Sequence, residues 1–247
     1  MDTAIRNVLP AILLSMACQP ATASTWTFTS GGDYYSTSGS SYGNQITFTQ
    51  GLETLRVSAW SDTANTPLNS FETAYITSFA AGLGVCNRDE GSISSCIHGS
   101  GAPHEVDNVG QQDLVLFLFD SPQSMQSLTI DPNGTWDRDV SFWVGNVSAS
   151  MTLVGSTFTN LGALGFGSQV NSLNSAGNAA LTISLGGYMG NALLVGGLFP
   201  ADGTPDRFKI RSLVTGNGTV SVVPVPAGAW LLVSAFGVLA TIRRRPA

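Results

Sequence analysis

Asp113-Leu114-Val115-Leu116-Phe117-Leu118-Phe119-Asp120 is a run of six apolar residues between two acidic ones. A run this short is typical of a strand rather than a helix, because globular helices usually need ten or more residues. Uninterrupted apolar character also indicates burial on both faces, since a strand with one wet face alternates polar and apolar residues. We therefore predict a central, fully buried β-strand here.

Segments on both sides of this run alternate apolar and polar residues, which is the period of a half-buried strand. Turn-forming Gly, Asn, Asp, Ser and Pro separate them. The predicted strands are 25–29, 45–49, 55–60, 71–79, 127–130, 140–144, 181–185, 192–195, 207–211 and 219–222. Short strands at this spacing, without an amphipathic helix, predict an all-β fold, specifically a β-sandwich with jelly-roll-like topology.

Residues 82–110 follow neither period and contain both histidines, which predicts a long loop of the kind that often carries function. Acidic side chains and an asparagine cluster in and just after this loop. Carboxylate and amide oxygens are the ligands that calcium takes, six to eight at a time. Turns and charged sheet edges are the alternative use of such residues. The candidate calcium ligands are Asp89, Glu90, Asp107, Asn108 and Asp113.

The N-terminus has the features of an export signal. Arg6 precedes an apolar stretch over 8–17, and Ala21-Thr22-Ala23 fits a small-residue cleavage site. We predict a signal peptide over 1–23, cleaved after Ala23 so that the mature chain begins at Ser24. Cys18 offers a lipoprotein alternative, but the residue three positions before it is Ser rather than the usual Leu.

Export bears on the two cysteines that follow the signal peptide, Cys86 and Cys96. One even pair in an exported chain favours a disulfide, because extracytoplasmic compartments are oxidising. A metal site with two thiolates is the alternative, and it lacks neighbouring ligands at the spacing of zinc sites.

The C-terminus combines a Pro-x-Pro turn, sixteen uncharged residues from Ala227 to Ile242, and the arginines Arg243, Arg244 and Arg245. As a helix the uncharged run spans about 24 Å, slightly less than the bilayer core of about 30 Å. The arginines should remain cytoplasmic, which leaves the domain outside. A buried core helix is the alternative, and it gives no reason for a terminal arginine cluster.

This tail, Val223-Pro224-Val225-Pro226-Ala227 with the apolar run and the arginines, resembles the PEP-CTERM sorting signal in its Val-Pro-Leu-Pro-Ala form. The resemblance implies an exported bacterial surface protein whose tail is recognised and cut by an exosortase, a membrane cysteine protease-transpeptidase. Val225 departs from the commonest form, which has Glu there. The implied organisation is a signal peptide (1–23), an extracellular β-domain (24–222) and a sorting signal (223–247).

A second resemblance lies in the domain itself. Residues 82–87, His104-Glu105-Val106-Asp107-Asn108 and 113–119 are similar to the core of an exosortase-dependent surface protein family within the PEP-CTERM set. The similarity implies a β-rich extracellular protein without an assigned enzymatic activity.

Composition narrows the function classes. Charged residues make up 11% of the chain, and fifteen acidic against six basic side chains give residues 24–222 a formal charge near −9. This balance excludes nucleic acid as a partner, because phosphate contacts need basic residues. Calcium and polysaccharide remain compatible.

We expect a structural or adhesive surface protein linked to exopolysaccharide or biofilm, held transiently at the inner membrane of a Gram-negative bacterium and not acting as an enzyme. A calcium- or carbohydrate-binding module is the alternative. A secreted hydrolase would need His104 to converge with Glu105 or Asp107 in one pocket, and the common hydrolase motifs are missing. A sugar platform would use aromatic residues that otherwise fill the core, namely Tyr34, Tyr35, Tyr42, Trp60, Trp136 and Trp143.

Overall fold

Antiparallel pairing joins thirteen strands into one sheet in the computed structural model, which describes residues 23–29, 33–35, 43–64, 69–90, 105–132 and 134–217. These residues all fall within one compact unit, Thr22–Gly218. The predicted signal peptide up to Thr22, strand 219–222 and the sorting signal lie outside them. Among the described residues, no helix has the length and apolar character needed to cross a bilayer.

The strands follow one another along the chain with a single 3₁₀ helix, Phe158–Leu164, among the described residues. They are β1 (Ala23–Thr27), β2 (Asp33–Tyr35), β3 (Gln45–Gln50), β4 (Glu53–Asp62), β5 (Phe71–Thr73), β6 (Tyr75–Phe79), β7 (Gly82–Cys86), β8 (Val106–Asp107), β9 (Asp113–Asp131), β10 (Val140–Gly145), β11 (Val170–Ser172), β12 (Leu181–Gly197) and β13 (Arg207–Asn217).

The long strand β9 connects two leaves of the sheet. Its first half pairs with β4, from Ser61 opposite Asp113 to Leu55 opposite Phe119. Its second half pairs with β13, which in turn pairs with β1 and β7. Strand β12 accompanies β9 along both halves. The sheet therefore branches at the middle of β9.

The main core lies between these leaves. The backbone N–H of Phe28 donates to the carbonyl of Arg211 on β13, while its ring packs 5.4 Å from the ring of Phe117 and 5.1 Å from that of Phe48. Phe28 thus belongs to one leaf by its backbone and to the other by its side chain. Burying a side chain of this size stabilises the fold by about 1.5–3 kcal/mol. The all-β prediction is confirmed, and the arrangement is sandwich-like.

A second apolar cluster covers the other face of the first half of β9. Val115, Phe117 and Phe119 point into the main core, whereas Leu114 and Leu116 pack in the second cluster. The 3₁₀ helix closes this face, with the ring of Phe158 stacked 3.7 Å from that of Phe199. Every residue from Asp113 to Phe119 is buried, so the predicted doubly buried strand is confirmed.

Three predicted boundaries differ from the structure. The run 71–79 is two strands, β5 and β6, interrupted at Ala74, and 181–185 and 192–195 are parts of one strand, β12. The runs 113–120 and 127–130 are likewise one strand, β9. Pro122, which lies between the two predicted runs, falls where the register between β9 and β12 shifts from Gly190 opposite Gln123 to Ala192 opposite Leu118. A proline is tolerated at such a bulge because no ladder hydrogen bond needs its missing N–H.

The predicted loop over 82–110 is partly wrong, because Gly82–Cys86 forms the fully buried strand β7. Gly82 and Gly84 alternate with the apolar Leu83 and Val85, and glycine, which has no side chain, does not give the polar–apolar pattern by which a strand is recognised. Gly82 has φ +127°, and a Cβ there would stand 2.3 Å from the carbonyl oxygen of Ile210. Glycine is thus required for β7 to approach β13 this closely.

Candidate metal centre

Three carboxylates converge where the chain leaves β7 and returns to the sheet. Glu90 lies in the turn after β7, Asp107 in β8, and Asp113 at the start of β9. One oxygen from each lies within 4.8 Å of the others. Asp107 and Asp113 are buried and Glu90 is half-buried. We call these three residues the inner acidic group.

Asn87 holds two members of the inner acidic group in place. Its side-chain oxygen accepts hydrogen bonds from the backbone N–H groups of Asp89 and Glu90, at 3.1 and 3.0 Å. Its Nδ2 donates to Asp113 Oδ1 at 3.2 Å, and its backbone N–H donates to Glu90 Oε2 at 3.1 Å. Asn87 is not among the predicted ligands, although asparagine is a residue type that forms Asx-type turns.

Asp107 is positioned by strand pairing and by its own turn. It stands opposite Arg207 in the register between β8 and β13. Its Oδ1 accepts a hydrogen bond from the backbone N–H of Val109 at 2.9 Å.

Burial and mutual repulsion raise the pKa of every carboxyl in the inner acidic group. Burial, then the charge of Asp107, raises the pKa of Glu90 to about 7. Burial raises the pKa of Asp107 to about 6, and the charge of Arg207 partly opposes the rise. The pKa of Asp113 stands well above its ordinary value because of burial first and the charges of Asp107 and Glu90 second. Each anion is costly in this site.

Two polar atoms around this group have no hydrogen-bond partner among the described residues. They are Asp113 Oδ2 and Arg207 Nε, both buried. The guanidinium of Arg207 lies 4.6 Å from the ring centroid of Trp136, a cation–π geometry.

The donor set consists of carboxylate oxygens, which suits hard cations such as calcium and magnesium. Calcium–oxygen distances of about 2.3–2.6 Å put opposite ligands roughly 4.6–5.2 Å apart. The three oxygens lie within 4.8 Å of one another, so one cation could contact all three.

The other two predicted calcium ligands lie elsewhere. Asp89 Oδ2 accepts a hydrogen bond from the backbone N–H of Ala64 at 3.1 Å. Asn108 exchanges two hydrogen bonds with Asp206: its Nδ2 donates to Asp206 Oδ2 at 2.6 Å, and its Oδ1 accepts from the Asp206 backbone N–H at 2.9 Å. The structure thus brings three of the five predicted residues together.

A second acidic group consists of Asp137, Asp139 and Asp206, whose grouped oxygens also lie within 4.8 Å of one another. Here backbone N–H donors satisfy the carboxylates. Asp206 accepts from Asp139 at 3.0 Å and from Leu198 at 2.8 Å, and Asp139 Oδ1 accepts from the backbone N–H of Asn174. We call it the outer acidic group; none of its oxygens is among the buried, unpartnered atoms.

The remaining predicted site residues divide between described and undescribed parts of the chain. Cys86 is buried at the end of β7, whereas Cys96 lies outside the described residues, so their pairing stays a prediction. His104 also lies outside. Glu105 forms an ion pair with Lys209, with Oε1 3.8 Å from Nζ. The convergence that a hydrolase needs therefore stays untested.

Two of the tryptophans considered for a sugar platform instead fill the core, which was the other use expected of them. Trp60 and Trp143 are buried in the second apolar cluster, where they fill the space beneath the 3₁₀ helix. Trp136 contacts Arg207. The side chains of Tyr34, Tyr35 and Tyr42 lie outside the described part of the chain.

Comparison with known proteins identifies no family. No protein-family model and no curated protein matches the chain. Among solved structures, the C-terminal domain of a chitobiase from Bacteroides fragilis is 11% identical and aligns with 69% of this chain and 97% of its own, at a TM-score of 0.31. A likeness this distant carries no argument about function.

Proposed function

We propose that this chain is an exported bacterial surface or extracellular-matrix protein with a structural or adhesive role linked to exopolysaccharide or biofilm. An exosortase recognises the tail from Val223 to Arg245 and removes it after the domain has crossed the inner membrane. The signal peptide ends at Ala23, so the mature chain begins at Ser24. The proposal rests on the sequence of the two ends and on how the β-domain meets them.

The observation that carries it is the pairing of the first and last described strands. Strand β1 begins at Ala23 and pairs with β13, from Ala23 opposite Gly216 to Thr27 opposite Ser212. The buried indole of Trp26 donates from Nε1 to Thr215 Oγ1 at 3.3 Å across this pair. The first and last described strands are therefore paired with each other. The described apolar clusters contain no residue before Trp26 or after Leu213, so the two proposed cleavages remove none of them.

Three further predicted features are consistent with a role at the cell surface. A jelly-roll-like sandwich, a Cys86–Cys96 disulfide and a Lys-poor, acidic domain are features of proteins that persist outside the cell. We assign the domain no catalytic activity, and its polar surface of Ser, Thr and Asn suits contact with polysaccharide hydroxyls.

The test is mass spectrometry of the protein from host cells with and without an active exosortase. We expect the N-terminus at Ser24 in both, and a C-terminus upstream of the apolar run only in the exosortase-positive cells. Replacing Pro224 and Pro226 with alanine should leave the tail uncut there, while Leu52→Ala, at an exposed turn, should be processed normally. An intact tail in both wild-type strains would refute the proposal.

A further inference from the structure

We propose that the inner acidic group, Glu90, Asp107 and Asp113, is a calcium-binding site that fixes the turn after β7 to β8 and the start of β9. This site goes beyond the surface role proposed above and does not depend on export or on cleavage of the tail. Three features of the structure carry it: an unpartnered buried oxygen, the local charge, and the contrast with the outer acidic group.

Asp113 provides the first feature. It is fully buried, and its Oδ1 accepts the hydrogen bond from Asn87 while Oδ2 has no hydrogen-bond partner among the described residues. Burying a polar atom without a partner is costly, and for an anion the cost is larger. The charged groups gathered with it are two more carboxylates, which cannot stabilise its charge. The side chains of Asn87 and Ser61 favour the charged form, but they offset its burial only in part. A cation bound between the three oxygens stabilises all of them at once.

The local charge indicates a divalent ion. When all three carboxylates are ionised they sum to −3, and the charge of Arg207, which acts on Glu90 and Asp107, reduces this to −2. No ion pair within 4.0 Å is described between Arg207 and these carboxylates, and its guanidinium lies over Trp136 instead. A divalent cation would balance the remaining charge. The three oxygens all lie within 4.8 Å of one another, close enough for one ion to contact all of them. Calcium accepts a flexible set of oxygen ligands, whereas magnesium demands near-ideal octahedral geometry.

In the outer acidic group the protein itself supplies hydrogen-bond donors to the carboxylates. Asp206 accepts three hydrogen bonds, from the N–H groups of Asp139, Leu198 and Asn108. The inner acidic group receives fewer: Asp113 has Asn87 Nδ2, Asp107 has the N–H of Val109, and Glu90 has the N–H of Asn87. In the inner acidic group one oxygen, Asp113 Oδ2, is buried and has no hydrogen-bond partner among the described residues, whereas no oxygen of the outer acidic group is left in this state.

The experiment is a thermal-unfolding and calorimetric titration of the purified full chain, first stripped with a chelator. Calcium chloride at about a hundredfold excess over Kd should raise Tm by roughly 5–10 °C, and calorimetry should give one ion per chain. Asp113→Asn keeps the side-chain shape and the hydrogen bond from Asn87 but removes a charged ligand. We expect it to fold and to lose the calcium shift. Asp137→Asn, in the outer acidic group, is the matched control and should respond like the wild type.

Each outcome decides the question. An unchanged Tm of the wild type in calcium would overturn the site, as would an equal calcium shift in Asp113→Asn and the wild type. A response to magnesium but not to calcium would overturn the assignment of the ion. If Asp113→Asn does not fold, Glu90→Gln at the half-buried ligand takes its place, with the same expected loss. Processing of the tail is measured separately, so the failure of either proposal leaves the other intact.

Discussion

Replacing Asp206 with alanine removes a hydrogen-bond acceptor shared by three parts of the fold. Its Oδ2 accepts from Asn108 Nδ2 at 2.6 Å and from the N–H of Leu198 at 2.8 Å, while Oδ1 accepts from the N–H of Asp139 at 3.0 Å. Asn108 follows β8, Leu198 follows β12, and Asp139 precedes β10. One side chain thus connects three strand ends that are distant in sequence.

The expected cost follows from the two backbone N–H donors, of Leu198 and Asp139, that the change leaves without an acceptor. Asn108 Nδ2 keeps its longer hydrogen bond to the Leu198 carbonyl, at 3.4 Å. A buried donor without a partner costs about 1–3 kcal/mol, so two of them would cost roughly 2–6 kcal/mol. Removing a buried carboxylate returns part of that, because burial of this group is itself unfavourable and raises its pKa to about 6. We expect Asp206→Ala to lower the free energy of unfolding by about 3 kcal/mol, a large share of the 5–15 kcal/mol typical of a domain.

Urea unfolding at pH 7, followed by tryptophan fluorescence, measures this free energy. Asp137→Ala is the control. The Oδ1 of Asp137 accepts a hydrogen bond from the backbone N–H of the next residue, Arg138, so this bond connects no distant parts of the fold. It should cost less than about 1 kcal/mol. Asp206→Asn, which keeps one acceptor oxygen, should fall between the two. If Asp206→Ala and Asp137→Ala lose the same free energy, the reasoning about shared donors is refuted.

Two further predictions concern pH and close packing. Because the pKa of Glu90 is raised to about 7 and that of Asp107 to about 6, the folded state holds protons that the unfolded state releases. The free energy of unfolding of the chelator-treated protein should therefore fall as the pH rises from 5 to 8. Saturating calcium should make this fall smaller. Urea unfolding measures the effect, and a urea midpoint that rises over this pH range in chelator would contradict the prediction. Gly82→Ala should destabilise strongly, by about 3 kcal/mol or more, because its Cβ would meet the Ile210 carbonyl at 2.3 Å. Gly110→Ala is the control, because Gly110 also has a positive φ, +82°, but a Cβ there would meet no other atom within 4 Å. It therefore measures the cost of the backbone conformation without the clash. If both variants lose the same stability in thermal unfolding, the clash at Gly82 is not the cause.

The fold class could be predicted because it depends on local pattern. Every residue of the run from Leu114 to Phe119 is buried, and a sequence records this directly as an unbroken apolar stretch. Branching of the sheet could not be predicted in the same way. It depends on where β4 stops pairing with β9 and β13 starts, between Phe119 and Gln123, and pairing between distant strands leaves no mark on the local period.

The site was predictable in residue type and only partly in geometry. Acidic residues near 82–113 indicated cation ligands, and three of the five converge. The partner of Asn108 could not be foreseen, because Asp206 lies 98 residues away in sequence. Asn87 was visible as a turn former, but its contact with Asp113 depends on the end of β7 lying near the start of β9, which only the folded sheet establishes.

The two acidic groups have a common structural cause in the shortness of β8. This strand has two residues, Val106 opposite Phe208 and Asp107 opposite Arg207, so its ladder alone holds it weakly. Successive side chains on an extended chain point to opposite sides, and accordingly Asp107 joins the inner acidic group whereas the next residue, Asn108, bonds to Asp206 in the outer one. The chain at β8 is thereby positioned on two sides. On the side of Asn108, hydrogen bonds within the protein hold it to Asp206. On the side of Asp107, a cation bound in the inner acidic group would hold β8 to the turn after β7 and to the start of β9, without requiring a longer strand.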